Sequence, residues 1–153
     1  MTQEICRQLQ NIVHEYSILL EQVNEKVYAF KPAANKWSKK EILGHLVDSA
    51  QNNIRRFIVA QYEDAPKIVY KQDSWVVISD YQNYPTADLV SLWRLLNNHA
   101  AIILSNTDRE ASQKKCDTNG AETHSIEWLA NDYIKHLLHH LHQILELEPG
   151  PYR

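Results

Sequence analysis

The chain has 153 residues, of which 44% are hydrophobic and 23% are charged, with three glycines and five prolines. This length and composition predict one globular domain over residues 1–153, large enough to bury a core without disulfides or a structural metal. The formal net charge of -3 argues against a nucleic-acid-binding protein, because such proteins usually concentrate basic residues on one face.

The cysteines and the N-terminal residues exclude further classes of protein. Cys6 and Cys116 lie far apart and outside any CxxC pattern, so they indicate neither a disulfide framework nor a cysteine-based zinc module. The N-terminal residues lack the basic and apolar pattern of a signal peptide, and no later run is long enough to span a bilayer. We therefore expect a cytoplasmic protein without a membrane partner.

The first two predicted helices show the 3-4 spacing of apolar residues that one buried face requires. The first covers residues 5–23, and the second begins at Ser38 and runs to about Tyr62. Ser38 and Glu41 have the spacing of a capping box, in which each side chain accepts a hydrogen bond from the backbone N–H of the other residue. The sequence therefore predicts a defined start for the second helix.

The other two predicted helices lie in the C-terminal half. The third follows Pro85 and has inward apolar positions through Ile103, and the fourth begins near Ser125 and ends before Pro149. Residues 63–85, between the second and third helices, can cross a bundle from end to end at roughly 3.3 Å per residue. We therefore predict an all-α four-helix bundle with a long crossover between helices two and three, which allows these middle helices to run parallel.

The crossover is rich in aromatic residues, which include Tyr70, Trp75 and Tyr81. These side chains either pack on the core or form the wall of a pocket. In both cases we expect the segment to lie against the bundle and not to extend into solvent.

Histidines in the second and fourth helices indicate a metal site. His136 and His140 are four residues apart, so on a helix their side chains face one direction and can bind one cation. A third imidazole, from His45, would give a three-histidine site with open coordination positions, as catalytic metals need. The alternative is that the histidines of the fourth helix are solvated residues near its C-terminus, where the helix dipole favours imidazolium.

Helical spacing distinguishes the four histidines of the fourth helix from one another. At roughly 100° per residue, His140 lies nearest the apolar face and His136 lies at its edge. His139 points almost opposite, and His142 falls on the other flank. The spacing therefore favours His136 and His140 as the ligand pair.

His45 lies off the apolar face of the second helix, so periodicity alone predicts that it faces water. It shares a polar stripe with Ser49, Asn52 and Arg56, whose spacing places all four on one side of the helix. We interpret this stripe as the wall of a cleft, with Arg56 as a candidate anion anchor. The alternative for Asn52 and Arg56 is a solvated helix face.

Two carboxylates near the histidines have a candidate supporting role. Asp48 could accept a hydrogen bond from a ligand imidazole and so orient it, and Asp132 lies one turn before His136. Both are equally compatible with ordinary exposed carboxylates. The residues identify no general base, and the catalytic residues are unknown.

At this point two segments resemble a known family. GHLVDSAQNNIRRF in the second helix and WLANDYIKHLLHHLHQI in the fourth resemble the DinB/YfiT-like superfamily of bacterial metal-binding bundles, and the resemblance covers nearly the whole chain. It implies a bundle whose middle helices run parallel. It also implies a divalent cation, zinc or nickel above all, held by His45, His136 and His140, with Gln143 at the position of the family's glutamine.

The resemblance implies two reactions at such a site. One is metal-dependent hydrolysis of an acyl or related small-molecule substrate, and the other is transfer of a low-molecular-weight thiol such as bacillithiol or mycothiol. Pairing of relatives through bundle faces also implies a homodimer. The alternative function is a non-catalytic bundle that binds a metal or ligand, so the sequence leaves open whether the protein is an enzyme.

Overall fold

The computed structural model describes residues 2–149. Within this part of the chain the α-helices are α1 (Thr2–Gln22), α2 (Glu25–Ala29), α3 (Lys39–Val59), α4 (Gln72–Ile78), α5 (Thr86–Ser105) and α6 (Ile126–Leu145). Two short strands, β1 (Lys115–Cys116) and β2 (His124–Ser125), pair in antiparallel orientation before α6. Single turns of 3-10 helix cover Tyr81–Asn83 and Ala111–Gln113.

The long helices α1, α3, α5 and α6 form a four-helix bundle, which confirms the predicted fold class. α1 packs against α5 and α6, and α3 packs against the same two helices. Their buried apolar side chains form one core, which includes Leu9, Leu46, Trp93 and Leu137. No helix between residues 2 and 149 combines the length and the hydrophobicity that a membrane span requires.

The predicted helix boundaries need small corrections. α3 ends at Val59 instead of Tyr62, and α6 ends at Leu145. Glu146 then adopts a left-handed backbone conformation with a φ of 55°, which ends α6 before Pro149 is reached. The helices α2 and α4 are absent from the prediction because, with five and seven residues, they are too short to show an apolar period.

Side-chain caps fix the starts of both helices that contain the candidate ligands. Ser38 Oγ accepts from the backbone N–H of Glu41 at 3.1 Å, and Glu41 Oε2 accepts from the backbone N–H of Ser38 at 2.8 Å. This confirms the predicted capping box at the start of α3. At the start of α6, Ser125 Oγ accepts from the backbone N–H of Trp128 at 3.1 Å.

Hydrogen bonds at both ends establish the relative direction of α3 and α5. The Glu25 carboxylate accepts from Lys40 at the start of α3 and from Thr86 at the start of α5. Beyond the other ends of the two helices, the Gln61 side-chain amide donates to Thr107 Oγ1 at 3.3 Å. The two helices therefore run in the same direction, and the intervening segment crosses from one end of the bundle to the other.

The crossover also covers α3. α3 contacts α2, α4 and the 3-10 turn in addition to the bundle helices, and residues 43–50 are all buried. The prediction that His45 faces water is therefore wrong, since its side chain is only 1% exposed. The apolar period marks only the side of α3 that faces the core, whereas the His45 ring is covered by Trp37, His136 and His140.

Gly44 allows the crossover to lie directly on α3. A Cβ atom at position 44 would lie 2.1 Å from Cδ2 of Tyr81, far closer than any real contact. The absence of a side chain thus lets the Tyr81 ring pack on the helix, where its hydroxyl donates to Asp48 Oδ1 at 2.5 Å.

We predict that Gly44→Ala destabilises the fold by about 1–3 kcal/mol, because the added methyl group displaces a buried ring. Helix propensity alone predicts the opposite effect, since it favours alanine over glycine by about 1 kcal/mol. Urea unfolding measures the change. The control is Gly120→Ala, since a Cβ atom at position 120 would meet no atom closer than 3.7 Å. This substitution should leave the free energy of unfolding nearly unchanged.

A double variant tests the cause of that destabilisation. Tyr81→Ala removes the ring that the alanine methyl group would strike, so Gly44→Ala should cost little in that background. An equal cost with and without the Tyr81 ring would contradict this account of the contact.

Candidate metal centre

Three histidines predicted to form a metal site lie together in the structure. Nε2 of His45 on α3 lies 3.1 Å from Nε2 of His136 on α6. One ligand nitrogen from each of His45, His136 and His140 lies within 4.8 Å of the others. Two nitrogens bound to one tetrahedral zinc ion at about 2.0–2.1 Å are about 3.3 Å apart. The spacing of His45 and His136 therefore fits a shared ion.

Burial keeps these imidazoles neutral. It lowers the pKa of His45 to about 4, with a further contribution from nearby His140. Burial likewise lowers the pKa of His136 to about 3, helped by the neighbouring imidazoles of His140, His45 and His139. The pKa of His140 is also lowered, mainly by burial. Neutral imidazole offers the lone pair that a metal ion needs, so all three side chains are in the binding form at neutral pH.

Neighbouring side chains fix the orientation of the cluster. Nδ1 of His140 donates to Oε1 of Gln143 at 2.7 Å, which leaves the lone pair of the other ring nitrogen available. The Trp37 ring packs on His45 with ring centroids 5.1 Å apart. Gln143 thus contacts the cluster at the position that the family resemblance indicated.

The other two histidines of α6 have different surroundings. His142 Nε2 accepts a hydrogen bond from the Tyr16 hydroxyl at 2.9 Å, and its Nδ1–H donates to the backbone carbonyl of Glu148 at 2.6 Å. His142 therefore joins α1 to the end of α6. His139 is half-buried, with its ring centroid 4.9 Å from that of His140.

Asp48 lies inside the protein but does not make the expected bond to His45. Its Oδ1 accepts from Tyr81, while neither its Oδ2 nor His45 Nδ1 has a hydrogen-bond partner among the described residues. Burial raises the pKa of the Asp48 carboxyl to about 6, against the lowering effect of the Tyr81 hydrogen bond. Asp48 is therefore a buried carboxylate, and the alternative interpretation as an ordinary exposed one is wrong.

A polar cleft of about 190 Å³ lies beside His136. Ser49, Arg56 and Asp132 line this cleft, as the polar stripe on α3 suggested for the first two. Asn52 does not line it, because its buried amide turns inward and donates to the backbone carbonyl of Asp48 at 2.9 Å. Asn53 takes that place in the wall.

Three aromatic residues complete the cleft wall. Tyr70 of the crossover lines the cleft together with Ser49. His124 of β2 stacks on Trp128 with ring centroids 3.7 Å apart. His124 and Trp128 were not predicted as site residues, since neither belongs to a periodic pattern of polar residues. The pairing of β1 with β2 is the feature that places His124 in the wall.

A second opening leads to the other side of the cluster. This groove of about 570 Å³ passes His140 and Gln143 and is lined on its apolar side by Pro32, Trp37 and Ile42. The histidine cluster therefore borders two clefts of different polarity, a polar one at His136 and a more apolar one at His140.

A small helical bundle with clustered neutral histidines beside a cleft defines a class of candidate metalloproteins. The sequence matches the profile of the DinB superfamily over residues 8–144, and the chain belongs to this superfamily. This confirms the resemblance found in the two helical segments.

A similar protein is YfiT of Bacillus subtilis (strain 168), named as a putative metal-dependent hydrolase. The two sequences are 26% identical over 113 residues, a match that covers 72% of this chain and 64% of YfiT. The solved structure of YfiT, described as an unusual four-helix bundle topology, matches with a TM-score of 0.85 over 95% of this chain and 84% of that chain. At 18% identity, this structural likeness establishes the fold alone.

The raised pKa of Asp48 predicts a pH-dependent effect of Asp48→Asn. The folded carboxyl holds its proton more tightly than the unfolded one. Its contribution to the stability of the fold is therefore present below about pH 4 and is lost as the pH rises through about 6. The difference from the ordinary value of 3.8 corresponds to roughly 3 kcal/mol. Between pH 4 and pH 7, the free energy of unfolding of Asp48→Asn should therefore rise by up to this amount relative to that of wild type.

Urea unfolding at the two pH values measures this change. Asp88→Asn, at an exposed position in the first turn of α5, is the control for the loss of one carboxylate charge. A difference between Asp48→Asn and wild type that does not vary with pH would contradict the proposed burial cost of the carboxylate.

Proposed function

We propose that the protein is a metal-dependent hydrolase whose ion is held by His45, His136 and His140. The observation that supports this most directly is the convergence of three neutral imidazoles from α3 and α6, with one nitrogen of each within 4.8 Å of the others. Three protein ligands leave coordination positions open, as a catalytic site requires. The named function of YfiT is consistent with the same chemistry.

The donor set indicates which ions the site prefers. Imidazole nitrogen suits zinc, nickel, copper and iron, whereas magnesium and calcium prefer oxygen ligands. A site built from His45, His136 and His140 is therefore best suited to a divalent transition metal, and zinc or nickel is the ion that we propose.

The surrounding residues have distinct tasks in this proposal. Bound metal supplies Lewis acidity towards a carbonyl or related oxygen of a small-molecule substrate. Trp37 shields His45 from water, and Gln143 holds the ring of His140. Asp48, one helical turn from His45, is the candidate acceptor for His45 Nδ1–H, since this nitrogen and Asp48 Oδ2 are both buried without a partner among the described residues.

Transfer of a low-molecular-weight thiol is a second reaction compatible with the site. The described lining of the cleft beside His136 contains no cysteine, so a cosubstrate would have to supply the sulfur. A metal ion favours the thiolate form of such a group. Hydrolysis and thiol transfer therefore differ in whether turnover requires an added thiol.

Metal content is the first test of this proposal. The untagged protein should bind about one zinc or nickel ion per chain, and His45→Ala and His136→Ala should each weaken binding by about 100-fold or more. This estimate exceeds the loss of roughly 10- to 100-fold seen for residues that only support a ligand. His99→Ala, an exposed histidine on α5, is the control and should bind metal like wild type.

Activity assays on the same proteins separate the functions. Ester or amide hydrolysis that is abolished by a chelator, restored by zinc or nickel and absent from His136→Ala would support the hydrolase. Turnover only with an added thiol would indicate the transferase. Tight metal binding without turnover in either assay would favour a non-catalytic binding protein, and failure to bind metal would overturn the proposal.

A further inference from the structure

The guanidinium of Arg56 is a half-buried cation in the wall of the polar cleft. Its Nε–H and Nη2–H groups donate to the backbone carbonyl of Ile68 at 3.3 and 3.1 Å, and Nη1–H donates to Asn53 Oδ1 at 3.4 Å. A guanidinium has five N–H donors. Two therefore remain after these bonds, and the backbone of the crossover holds the group in place.

The charge of Arg56 has no counter-ion in direct contact. None of the ion pairs formed within residues 2–149 includes it, and Asp132 of the same cleft wall acts on its charge from beyond ion-pair distance. The Tyr70 ring lies with its centroid 6.0 Å from Arg56 Cζ, which provides only a weak cation–π contact. Burial lowers the pKa of the guanidinium, because the surroundings do not fully compensate its charge. A partly buried cation in this state attracts an anionic ligand group.

The charge of the cleft favours a carboxylate over a phosphate. A planar guanidinium can bind two oxygens of either group. The Asp132 carboxylate in the same wall repels a dianionic phosphate more strongly than a monoanion. The volume of the cleft indicates a small ligand. It is about 190 Å³, below the range of roughly 300–1,000 Å³ that is usual for pockets of drug-sized ligands.

We propose that the cleft binds a small carboxylic acid through Arg56, with the rest of the molecule extending along the wall towards His136. The inference rests on the proposed function in that it names the substrate class of the same site. The carboxylate would be a recognition group, and the reacting group would lie at the histidine cluster. Asp132 would accept a hydrogen bond from a hydroxyl or amine of the same molecule.

Butyrate and butyramide provide a matched pair of probes, because they have the same number of non-hydrogen atoms and differ in charge. Ligand-observed saturation-transfer NMR on the metal-free full-length chain should show saturable binding of butyrate. Butyramide should bind at least about tenfold more weakly, since a charge-assisted hydrogen bond contributes about 1.5–3 kcal/mol. Equal binding of the two probes would overturn the proposal, as would tighter binding of inorganic phosphate.

Variants at neighbouring positions test the role of Arg56 itself. Arg56→Gln should weaken butyrate binding at least about tenfold, and Arg56→Lys should weaken it less because the charge remains. Arg55→Gln, an exposed arginine on the same helix, should bind butyrate like wild type. Circular dichroism melts check that each variant is folded, and a folded Arg56→Gln that binds butyrate normally would contradict the assignment.

The use of metal-free protein separates this inference from the proposed function. Butyrate binding through Arg56 does not require an ion at the histidines. Normal butyrate selectivity in a chain that binds no metal would refute the hydrolase while retaining the carboxylate site. Metal binding without selectivity for butyrate would refute the carboxylate site alone.

Discussion

Burial of polar side chains on α3 is the constraint on which the rest of the structure depends. His45 and Asp48 both lie in the interior, His45 against Trp37 and Asp48 beneath Tyr81. Removing polar groups from water is costly unless they gain partners, and each of these side chains retains one buried atom without a partner among residues 2–149. A metal ion at the histidine cluster would bind His45 through Nε2, the nitrogen nearest His136, and would leave Nδ1 to donate to Asp48.

The crossover between α3 and α5 links this burial to the cleft. Tyr81 packs on Gly44 and covers α3, while Tyr70 forms part of the cleft wall. The backbone carbonyl of Ile68, in the same segment, holds the guanidinium of Arg56. One connecting segment therefore both covers Asp48 on α3 and positions the cation of the cleft. A change in the crossover should thus affect the burial of Asp48 and ligand binding together.

The sequence predicts the parts of this structure that depend on local patterns. The four long helices follow from apolar spacing, the start of α3 from Ser38 and Glu41, and the proximity of the histidines from helix geometry and family resemblance. The burial of His45 could not be predicted, because it depends on contacts with Trp37, His136 and His140 that the apolar period of α3 does not describe. His124 was missed for a related reason, since the pairing of β1 with β2 is a contact between segments that no local pattern specifies.

X-ray absorption spectroscopy of the protein loaded with zinc or nickel tests the central claim most directly, because it reports the atoms bound to the ion. A three-histidine centre predicts about three imidazole nitrogens at roughly 2.0–2.1 Å for zinc, and the loss of imidazole scattering in His136→Ala. It also predicts no sulfur ligand from the protein, since Cys6 and Cys116 lie outside the histidine cluster. A sulfur shell, or fewer than three imidazoles in the wild-type protein, would contradict the three-histidine centre.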